Sequence, residues 1–268
     1  MSRHGYFIAG TDTGVGKTRI TVGLLHALAT LGVRAVGMKA VASGTDAAGR
    51  NEDVALIREA NAHALPMGAS GSGSGEATVD LRGDHDAVNP YCFPWPISPH
   101  LAARRAGVTI EPPQIAAAAE ALGAGGALLL VEGTGGWLAP IGPDRTMADV
   151  AETLGLPVVL VVGLRLGCLN HALLSAGAIA HGRVPLAGWI GSQIDRQMLA
   201  FEDNIATLDA RLPAPRLGLL SYSEDASADR VQLAPAAQRL AATALAATAP
   251  AATAPAAQAP RARPVQKA

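Results

Sequence analysis

The chain contains a glycine-rich stretch, FIAGTDTGVGKT, in which glycines precede a lysine and a threonine, Lys17 and Thr18. Such a turn between a strand and a helix is typical of loops that bind nucleotide phosphates. Backbone N–H groups and the helix dipole converge on the anion, the lysine reaches the outer phosphates, and the threonine hydroxyl is placed to bind Mg²⁺. The usual pattern has its first glycine at the position of Thr11, whereas here the glycine is Gly10. A plain glycine-rich turn without a ligand is the alternative interpretation.

Charged side chains follow two apolar runs of the sequence. Lys39 ends the run RAVGMK, and Glu132 follows the run ALLLV. The carboxyl ends of parallel strands meet at one edge of a sheet, where open sheets bind ligands. Lys39 is therefore either a surface charge or, with Lys17 nearby, a second cation that offsets charge on a transferring phosphoryl group. Asp53, in NEDVALIREA, is either an acid in the first turn of a helix or a Mg²⁺ ligand beside Glu132 and Thr18.

Strands and helices must alternate along the chain to position these side chains. Six almost continuously apolar runs are predicted to be strands buried on both faces: YFIAG, RAVGMK, ALLLVEG, PVVLVVG, LAGWIG and RLGLL. The predicted helices are Lys17 to Leu31, Asp53 to Ala62, Pro113 to Leu122, Leu169 to His181, and Met198 to Leu212. This alternation predicts a single-domain α/β fold with a parallel, mostly doubly wound sheet flanked by helices.

The composition of the 268-residue chain is that of a globular protein with a sizeable core. Hydrophobic residues make up 49% and aromatics only 3%, so the core must consist mostly of Ala, Leu, Val and Ile. The formal net charge of −1 indicates no polyanion-binding surface, and we expect no nucleic-acid partner. We expect no signal peptide and no membrane span, because every apolar run is far below the ~20 residues of such a span, and we predict a cytoplasmic protein. Cys92 and Cys168 are predicted to be free thiols.

Two segments do not fit the alternation of strands and helices. Residues 66–83 are rich in Gly and Ser and are predicted to be a flexible insertion into a domain that spans residues 1–245. Residues 246–268 are rich in Ala and Pro, and we predict a disordered tail there because regular prolines block a helix.

The glycine-rich loop resembles that of dethiobiotin synthetases, whose pattern G-T-D-T-x-V-G-K-T matches Gly10 to Thr18 at every fixed position. Five later segments resemble the same family in order and spacing: MKAVASG, NED, NPYCFPWPISPHLAA, VEGTGGW and LGCLNHALL. The resemblance extends over roughly residues 6–222. It implies a P-loop NTPase-like fold and an ATP-dependent ligase of biotin biosynthesis.

The resemblance also implies a reaction and a set of site residues. The diamine 7,8-diaminononanoate, CO₂ and ATP would give dethiobiotin, ADP and phosphate through a carbamate and a carbamic-phosphoric anhydride, with Mg²⁺ as cofactor. The expected catalytic residues are Lys17, Lys39 and Thr13. The expected metal ligands are Thr18, Asp53 and Glu132. The expected nucleotide-binding residues are Gly14, Val15, Gly16, Lys17, Thr18, Arg19, Asp53, Glu132, Gly133, Thr134, Gly135, Ser192, Gln193, Ser221, Tyr222 and Ser223.

The expected substrate-binding residues form two groups. Ser43 lies in the loop beyond Lys39, and a turn serine is the alternative. The other group opens the helix in LGCLNHALL, and its members are Gly167, Cys168, Leu169 and Asn170. The free N–H groups of a helix start bind anions well. The resemblance implies that this helix start receives the substrate carboxylate from the neighbouring subunit of a homodimer.

The chain departs from the family pattern where the nucleotide base is expected. The family often has Asn-Asp where Ser192 and Gln193 stand, and often a proline where the segment SYS, residues 221–223, follows the last strand. A serine cannot fully copy the contacts that a side-chain amide makes with a base edge. Gly14 also stands where some members carry an acidic residue. The base preference is therefore left open.

Two other functions are compatible with a phosphate loop. A nucleotide-driven switch ATPase that acts through protein partners commonly has a second lysine in the loop, and Asp12 occupies that position here. A cobyrinate-type amidase needs an appended glutaminase domain, for which 268 residues with a low-complexity tail leave no room.

Overall fold

The structure is a computed structural model that describes residues 4–64, 85–223 and 228–248. Its centre is a six-stranded sheet with the strand order β2-β5-β1-β6-β7-β8, in which all neighbours run parallel. The strands of this sheet are β1 Gly5–Gly10, β2 Ala35–Lys39, β5 Leu128–Glu132, β6 Val158–Leu164, β7 Leu186–Gln193 and β8 Arg216–Leu220. The six strands that the sequence predicts are these six, and the predicted parallel sheet is confirmed.

A second, two-stranded parallel sheet was not predicted. It pairs β3, Val41–Ser43, with β4, Tyr91–Phe93. Each strand is only three residues long, which is too short to show a periodicity in the sequence. This small sheet carries Ser43 just beyond the end of β2.

Helices cover both faces of the large sheet. The helices are α1 Lys17–Thr30, α2 Glu52–Ala64, α3 His85–Val88, α4 Pro99–Ala106, α5 Pro112–Gly123, α6 Met147–Leu154, α7 Cys168–Ala180, α8 Phe201–Arg211 and α9 Asp229–Thr248. One face packs against α1 and α9, and the opposite face packs against α5, α6, α7 and α8. β1 and β6 are buried along their whole length, as expected for central strands covered on both faces.

Four helices were not predicted from the sequence, namely α3, α4, α6 and α9. The longest of them, α9, has Pro235 inside it, which removes a backbone donor and made a helix improbable from local propensity. Burial of Leu233, Ala236 and Leu240 against α1 and β8 offsets this cost. Tertiary packing thus outweighs local propensity in this segment.

The two predicted irregular segments fall mostly on residues outside those described. The insertion at 66–83 lies entirely outside them, and so does the tail from residue 249 onward. The first three residues of the predicted tail, 246–248, are the last residues of α9. No helix among the described residues has the length and apolar character needed to cross a membrane.

Candidate active site

The glycine-rich loop joins the end of β1 to the start of α1. Gly14 and Gly16 have φ angles of 72° and 85°, in the left-handed region that glycine adopts without strain. The Thr11 N–H still donates to the Val161 carbonyl at 3.0 Å, so the ladder to β6 continues one residue past the last residue of β1. The turn itself therefore begins at Asp12. A Cβ atom on Gly10 would lie 2.9 Å from both Lys17 Nζ and Val15 Cγ2, so the close packing of the loop requires a glycine at this position.

Lys17 folds back over this loop. Its side chain is 7% exposed, and its Nζ donates to the Asp12 carbonyl at 2.9 Å and to the Gly135 carbonyl at 2.8 Å. The pKa of Lys17 is lowered to about 8. Burial is the largest cause, and the positive charge of Lys39 also contributes to this shift. Both hydrogen bonds go to neutral carbonyls, so an anion in the loop would be a stronger partner for this ammonium.

Lys39 occupies a different environment a short distance away. Its ammonium donates to Asp53 Oδ2 and to Glu132 Oε1, each at 2.6 Å, and its side chain is 4% exposed. Burial alone would lower the pKa of Lys39, but the charges and hydrogen bonds of Glu132 and Asp53 outweigh it and raise that pKa. Burial would raise the pKa of Asp53, and the Lys39 charge outweighs it and lowers that pKa. The sheet causes this proximity, because Lys39 and Glu132 are register partners at the carboxyl ends of β2 and β5.

The oxygen atoms around Lys39 fit a magnesium ion. Thr18 Oγ1 donates to Glu132 Oε1 at 2.7 Å, so the three predicted metal ligands Thr18, Asp53 and Glu132 lie together. Glu132 is fully buried, and its second oxygen, Oε2, has no hydrogen-bond partner among the described residues. The described part of the chain contains no cluster of three His, Cys, Asp or Glu side chains that could hold a metal. Two carboxylates and a hydroxyl suit Mg²⁺, which keeps several waters and is usually held by few protein ligands.

The segment after β5 closes the loop from the other side. The Thr134 hydroxyl donates to the Val41 carbonyl and links this segment to β3. Gly135, with a φ angle of 67°, presents its carbonyl to Lys17. The structure thus brings Gly133, Thr134 and Gly135 against the phosphate loop.

A cavity of about 570 Å³ opens beside Asp53. Its lining residues are Ser43, Gly44, Thr45, Asp46, Arg50, Asn51, Glu52, Asp53 and Ala55. The Ser43 hydroxyl oxygen is buried and has no hydrogen-bond partner among the described residues. A buried hydroxyl without a partner at a cavity wall is available to a bound ligand.

The predicted base-binding residues meet at the carboxyl ends of β7 and β8. Ser192 is 4% exposed and approaches the phosphate loop so closely that a Cβ atom on Gly16 would lie 2.7 Å from its hydroxyl oxygen. Gln193 Oε1 accepts the Tyr222 N–H at 3.1 Å. This bond fixes the Gln193 amide so that its NH₂ group points away from Tyr222. Ser221 and Ser223 flank Tyr222 in the same segment.

The predicted carboxylate-binding residues open α7 directly after β6. Gly167 precedes the helix with a φ angle of 98°, Cys168 is buried, and Asn170 is exposed. Leu166, which immediately precedes them, is 94% exposed. The helix start thus faces outward, next to the phosphate loop but on the surface of the chain.

Comparison with known proteins identifies the family. The profile of a family described as "AAA domain" matches residues 4–230. Proteins named "ATP-dependent dethiobiotin synthetase BioD" are similar over most of the chain. The one from Nitrosospira multiformis is 42% identical over 82% of this chain and 89% of its own length. The one from Ralstonia nicotianae is 44% identical over 87% of this chain and 97% of its own length.

The chain belongs to the dethiobiotin synthetase family.

The predicted family and enzyme class, an ATP-dependent ligase, are thereby confirmed. Solved structures show the same fold at low identity. The Aquifex aeolicus MinC:MinD cell division complex matches with a TM-score of 0.51 and 15% identity over 89% of this chain and 96% of that chain. A ParA family ATPase from Chlorobium tepidum matches with a TM-score of 0.50 and 15% identity over 91% of this chain and 99% of that chain. These similarities confirm the predicted P-loop NTPase-like fold.

Two contacts of this synthetase-family site have no signal in the sequence. The Arg165 guanidinium donates to Asp12 Oδ2 at 2.7 Å and so ties the segment before α7 to the phosphate loop. The Arg19 guanidinium, in the first turn of α1, forms a two-pronged ion pair with the buried Asp229 of α9, at 2.5 and 2.6 Å. Arg19 was expected to bind nucleotide, and its side chain is here directed to α9. Such pairs join distant parts of the chain, and no local pattern indicates them.

Two predicted residues, Thr13 and Val15, remain in the loop. Thr13 is exposed, its backbone N–H donates to Asp12 Oδ1 at 2.7 Å, and its hydroxyl lies toward Gly135. Val15 is buried, so its side chain packs in the core while its backbone forms part of the loop. The predicted catalytic set therefore consists of two buried lysines and one exposed threonine around a single opening.

Proposed function

We propose that this chain converts 7,8-diaminononanoate, CO₂ and ATP to dethiobiotin, ADP and phosphate. The observation that carries the proposal is the convergence of two buried lysines, Lys17 and Lys39, on a phosphate loop with a carboxylate pair beside it. That arrangement suits the transfer of a phosphoryl group to a weak anionic nucleophile. It provides no side-chain nucleophile, and the reaction needs none.

The first steps build and activate a carbamate. One amine of the diamine takes up CO₂ and loses a proton to water, which leaves a carbamate anion. A carbamate oxygen attacks the γ-phosphorus in line, the bond to the bridging oxygen breaks, and ADP leaves. Lys17 would bind the outer phosphate oxygens, and Lys39 would lie beside the carbamate and the γ-phosphate as they react. Both ammonium groups would offset the negative charge of the transition state. The Thr13 hydroxyl would contact the phosphate or the carbamate from the open side.

The last step closes the ring. The second amine attacks the carbonyl carbon of the mixed anhydride, phosphate leaves with its bonding electrons, and the amine loses its extra proton to water. Holding both amines near one carbonyl converts this attack into an intramolecular step. Exclusion of water protects the anhydride from hydrolysis.

Magnesium would be held by Thr18, Asp53 and Glu132. These residues supply one hydroxyl and two carboxylates, and hard oxygen ligands suit that ion. When bound, Mg²⁺ supplies charge neutralisation for the nucleotide phosphates. Because Glu132 is fully buried, it would hold its position without adjustment.

The substrate would extend from the lysines toward a second copy of the chain. Ser43, with its unpartnered hydroxyl at the cavity wall, would contact the reacting end. The substrate carboxylate would bind at the start of α7, residues 167–170, of the neighbouring subunit, which makes the enzyme a homodimer that works in the cytoplasm. Neither a nucleic-acid nor a membrane partner is part of this proposal.

A diamine-dependent assay tests the proposal directly. Phosphate release from Mg-ATP with bicarbonate is measured with and without 7,8-diaminononanoate, and the product is analysed by mass spectrometry. We expect release that depends on the diamine and a product with the mass of the cyclic urea. Equal, slow release in both samples would overturn the ligase proposal and favour a nucleotide-driven switch, although Asp12 stands where such switches commonly have a second lysine.

A further inference from the structure

We propose that Lys39 is a built-in cation that holds the metal position until Mg²⁺ arrives, and that metal entry displaces its ammonium toward the reacting phosphate. The inference rests on the proposed magnesium site and deepens it. It concerns a site whose two carboxylates already have a positive partner, the Lys39 ammonium.

The ammonium and the metal would use the same two carboxylates. Lys39 Nζ lies 2.6 Å from Asp53 Oδ2 and 2.6 Å from Glu132 Oε1, and Thr18 Oγ1 lies 2.7 Å from that same Glu132 oxygen. Thr18, Asp53 and Glu132 are also the residues that would ligate Mg²⁺. The Lys39 side chain is almost fully buried, whereas Asp53 is 42% exposed, so the site opens on the Asp53 side.

The two cations exclude each other from this position. Mg²⁺ binds oxygen at about 2.0–2.1 Å and needs near-octahedral geometry. An ion on Glu132 Oε1 and Asp53 would therefore lie within about 4 Å of an ammonium that kept both its bonds. At that separation, repulsion between a divalent and a monovalent cation in a poorly hydrated site is severe. Lys39 must release at least one carboxylate when the metal binds.

The released ammonium would be attracted to an anion bound at the phosphate loop. Thr18, the neighbour of Lys17 in the phosphate loop, donates to the same Glu132 oxygen that accepts a hydrogen bond from Lys39, so both lysines lie at this loop. An anion held by Lys17 at that loop would attract Lys39 once its carboxylates are taken by the metal. The long, unbranched side chain can swing while the backbone of β2 stays in the sheet.

This exchange would couple the metal to the lysine. Glu132 would always have a cation beside it, first Lys39 and then Mg²⁺, so its buried charge is never left unpaired. Nucleotide without metal would leave Lys39 on its carboxylates and would lack its charge on the phosphate. Lys39 thus acts as a gate against reaction of metal-free ATP.

Metal binding without nucleotide tests the exchange. The free Mn²⁺ signal in electron paramagnetic resonance gives the affinity of the protein for this Mg²⁺ substitute. Removal of the competing ammonium in Lys39→Met is expected to tighten Mn²⁺ binding by about tenfold or more over the wild type, the effect of one strong charge contact. The control is Lys17→Met, whose ammonium contacts only carbonyl oxygens. It should tighten binding by less than about threefold.

Two outcomes would overturn the proposal. One is unchanged Mn²⁺ affinity in a folded Lys39→Met, as judged by circular dichroism. Should that variant not fold, crystals of the wild type with EDTA and with Mg²⁺ plus a non-hydrolysable ATP analogue decide. We expect Lys39 Nζ to lie on Glu132 in the first and on the phosphate in the second, and an unmoved ammonium would overturn the exchange. Failure of the ligase proposal is seen separately, in the diamine assay of the wild type.

Discussion

Lys17 and Lys39 carry the same ammonium group, and their surroundings make them different. Lys17 donates to neutral carbonyls, and burial lowers its pKa to about 8. Lys39 donates to two carboxylates, and their charge raises its pKa despite equal burial. The first lysine is ready for an anion, whereas the second must leave its partners to reach one. Residues of one type in one site therefore have different electrostatic surroundings.

At the base site, we expect weak discrimination among nucleotides. Phosphate contacts are the same for every base, and Ser192 offers one hydroxyl where an amide would offer more contacts. One hydrogen bond is worth about a tenfold preference at most, so kcat/KM for ATP, GTP and CTP should lie within about tenfold of one another. Steady-state kinetics with the three nucleotides check this. A preference for ATP greater than about a hundredfold would contradict it.

The sequence alone predicts those parts of the site whose residues are contiguous in the chain or lie at the ends of neighbouring strands. The glycine loop is contiguous, and Lys39 and Glu132 end neighbouring parallel strands, so their approach follows from the fold class. The ion pairs of Asp12 with Arg165 and of Arg19 with Asp229 join residues far apart in sequence, and nothing in either local pattern indicates the partner.

At the scale of elements, α9 shows the limits of local patterns most clearly. Pro235 lies inside it and removes a backbone donor, although its many alanines favour a helix, and α9 covers α1 and carries the partner of Arg19. The helices that were predicted, such as α1 and α7, have long runs of apolar residues and start beside glycines. The short helices α3, α4 and α6 lack enough turns to show a period.

The packing of α9 gives a matched pair of substitutions. Leu233 is fully buried against α1, whereas Leu245 on the same helix is 68% exposed. Leu233→Ala should cost about 2–5 kcal/mol in the free energy of unfolding, because it removes buried methyl groups and leaves a cavity. Leu245→Ala should change it by less than about 0.5 kcal/mol. Urea denaturation of both variants measures this, and equal losses would show that α9 is not packed as described.

His26 on α1, whose ring contacts that of His63 on α2, makes the stability of the protein depend on pH. Burial lowers the pKa of His26, and the charges of His63 on α2 and Arg230 on α9 lower it further, while Glu59 acts the other way. In the unfolded chain His26 has its ordinary pKa of about 6.5. Below that pH the unfolded state binds more protons at His26 than the folded state does. The free energy of unfolding therefore falls as the pH falls. Above that pH, His26 is neutral in both states and does not change the free energy of unfolding.

The measurement compares Tm at about pH 7.5 and about pH 5.5. We expect the Tm of His26→Gln to fall less than the Tm of the wild type when the pH is lowered, since glutamine does not titrate. The matched control is His181→Gln, which replaces an exposed histidine at the end of α7 and should behave like the wild type. An equal loss in the wild type and in His26→Gln would remove this explanation.

At the scale of the whole molecule, the exposed leucines around α7 fit the proposed homodimer. Leu166 is 94% and Leu174 64% exposed beside the expected carboxylate site. Leu174→Glu should give a monomer in light scattering and raise KM for the diamine by about tenfold or more, while KM for ATP holds. Leu199→Glu, at an 88% exposed leucine elsewhere, should stay dimeric. A monomeric wild type with full activity would contradict the homodimer.

The strand order also governs when the protein becomes competent during its synthesis. β1 lies between β5 and β6 and has no partner among the strands made directly after it. The phosphate loop is among the first parts to leave the ribosome, yet β1 has strands on both sides only after residue 164 has followed. At about 5–20 residues per second, the nascent chain waits on the order of ten seconds or more. The face of α1 that packs against α9 stays open longer still, until α9 is complete.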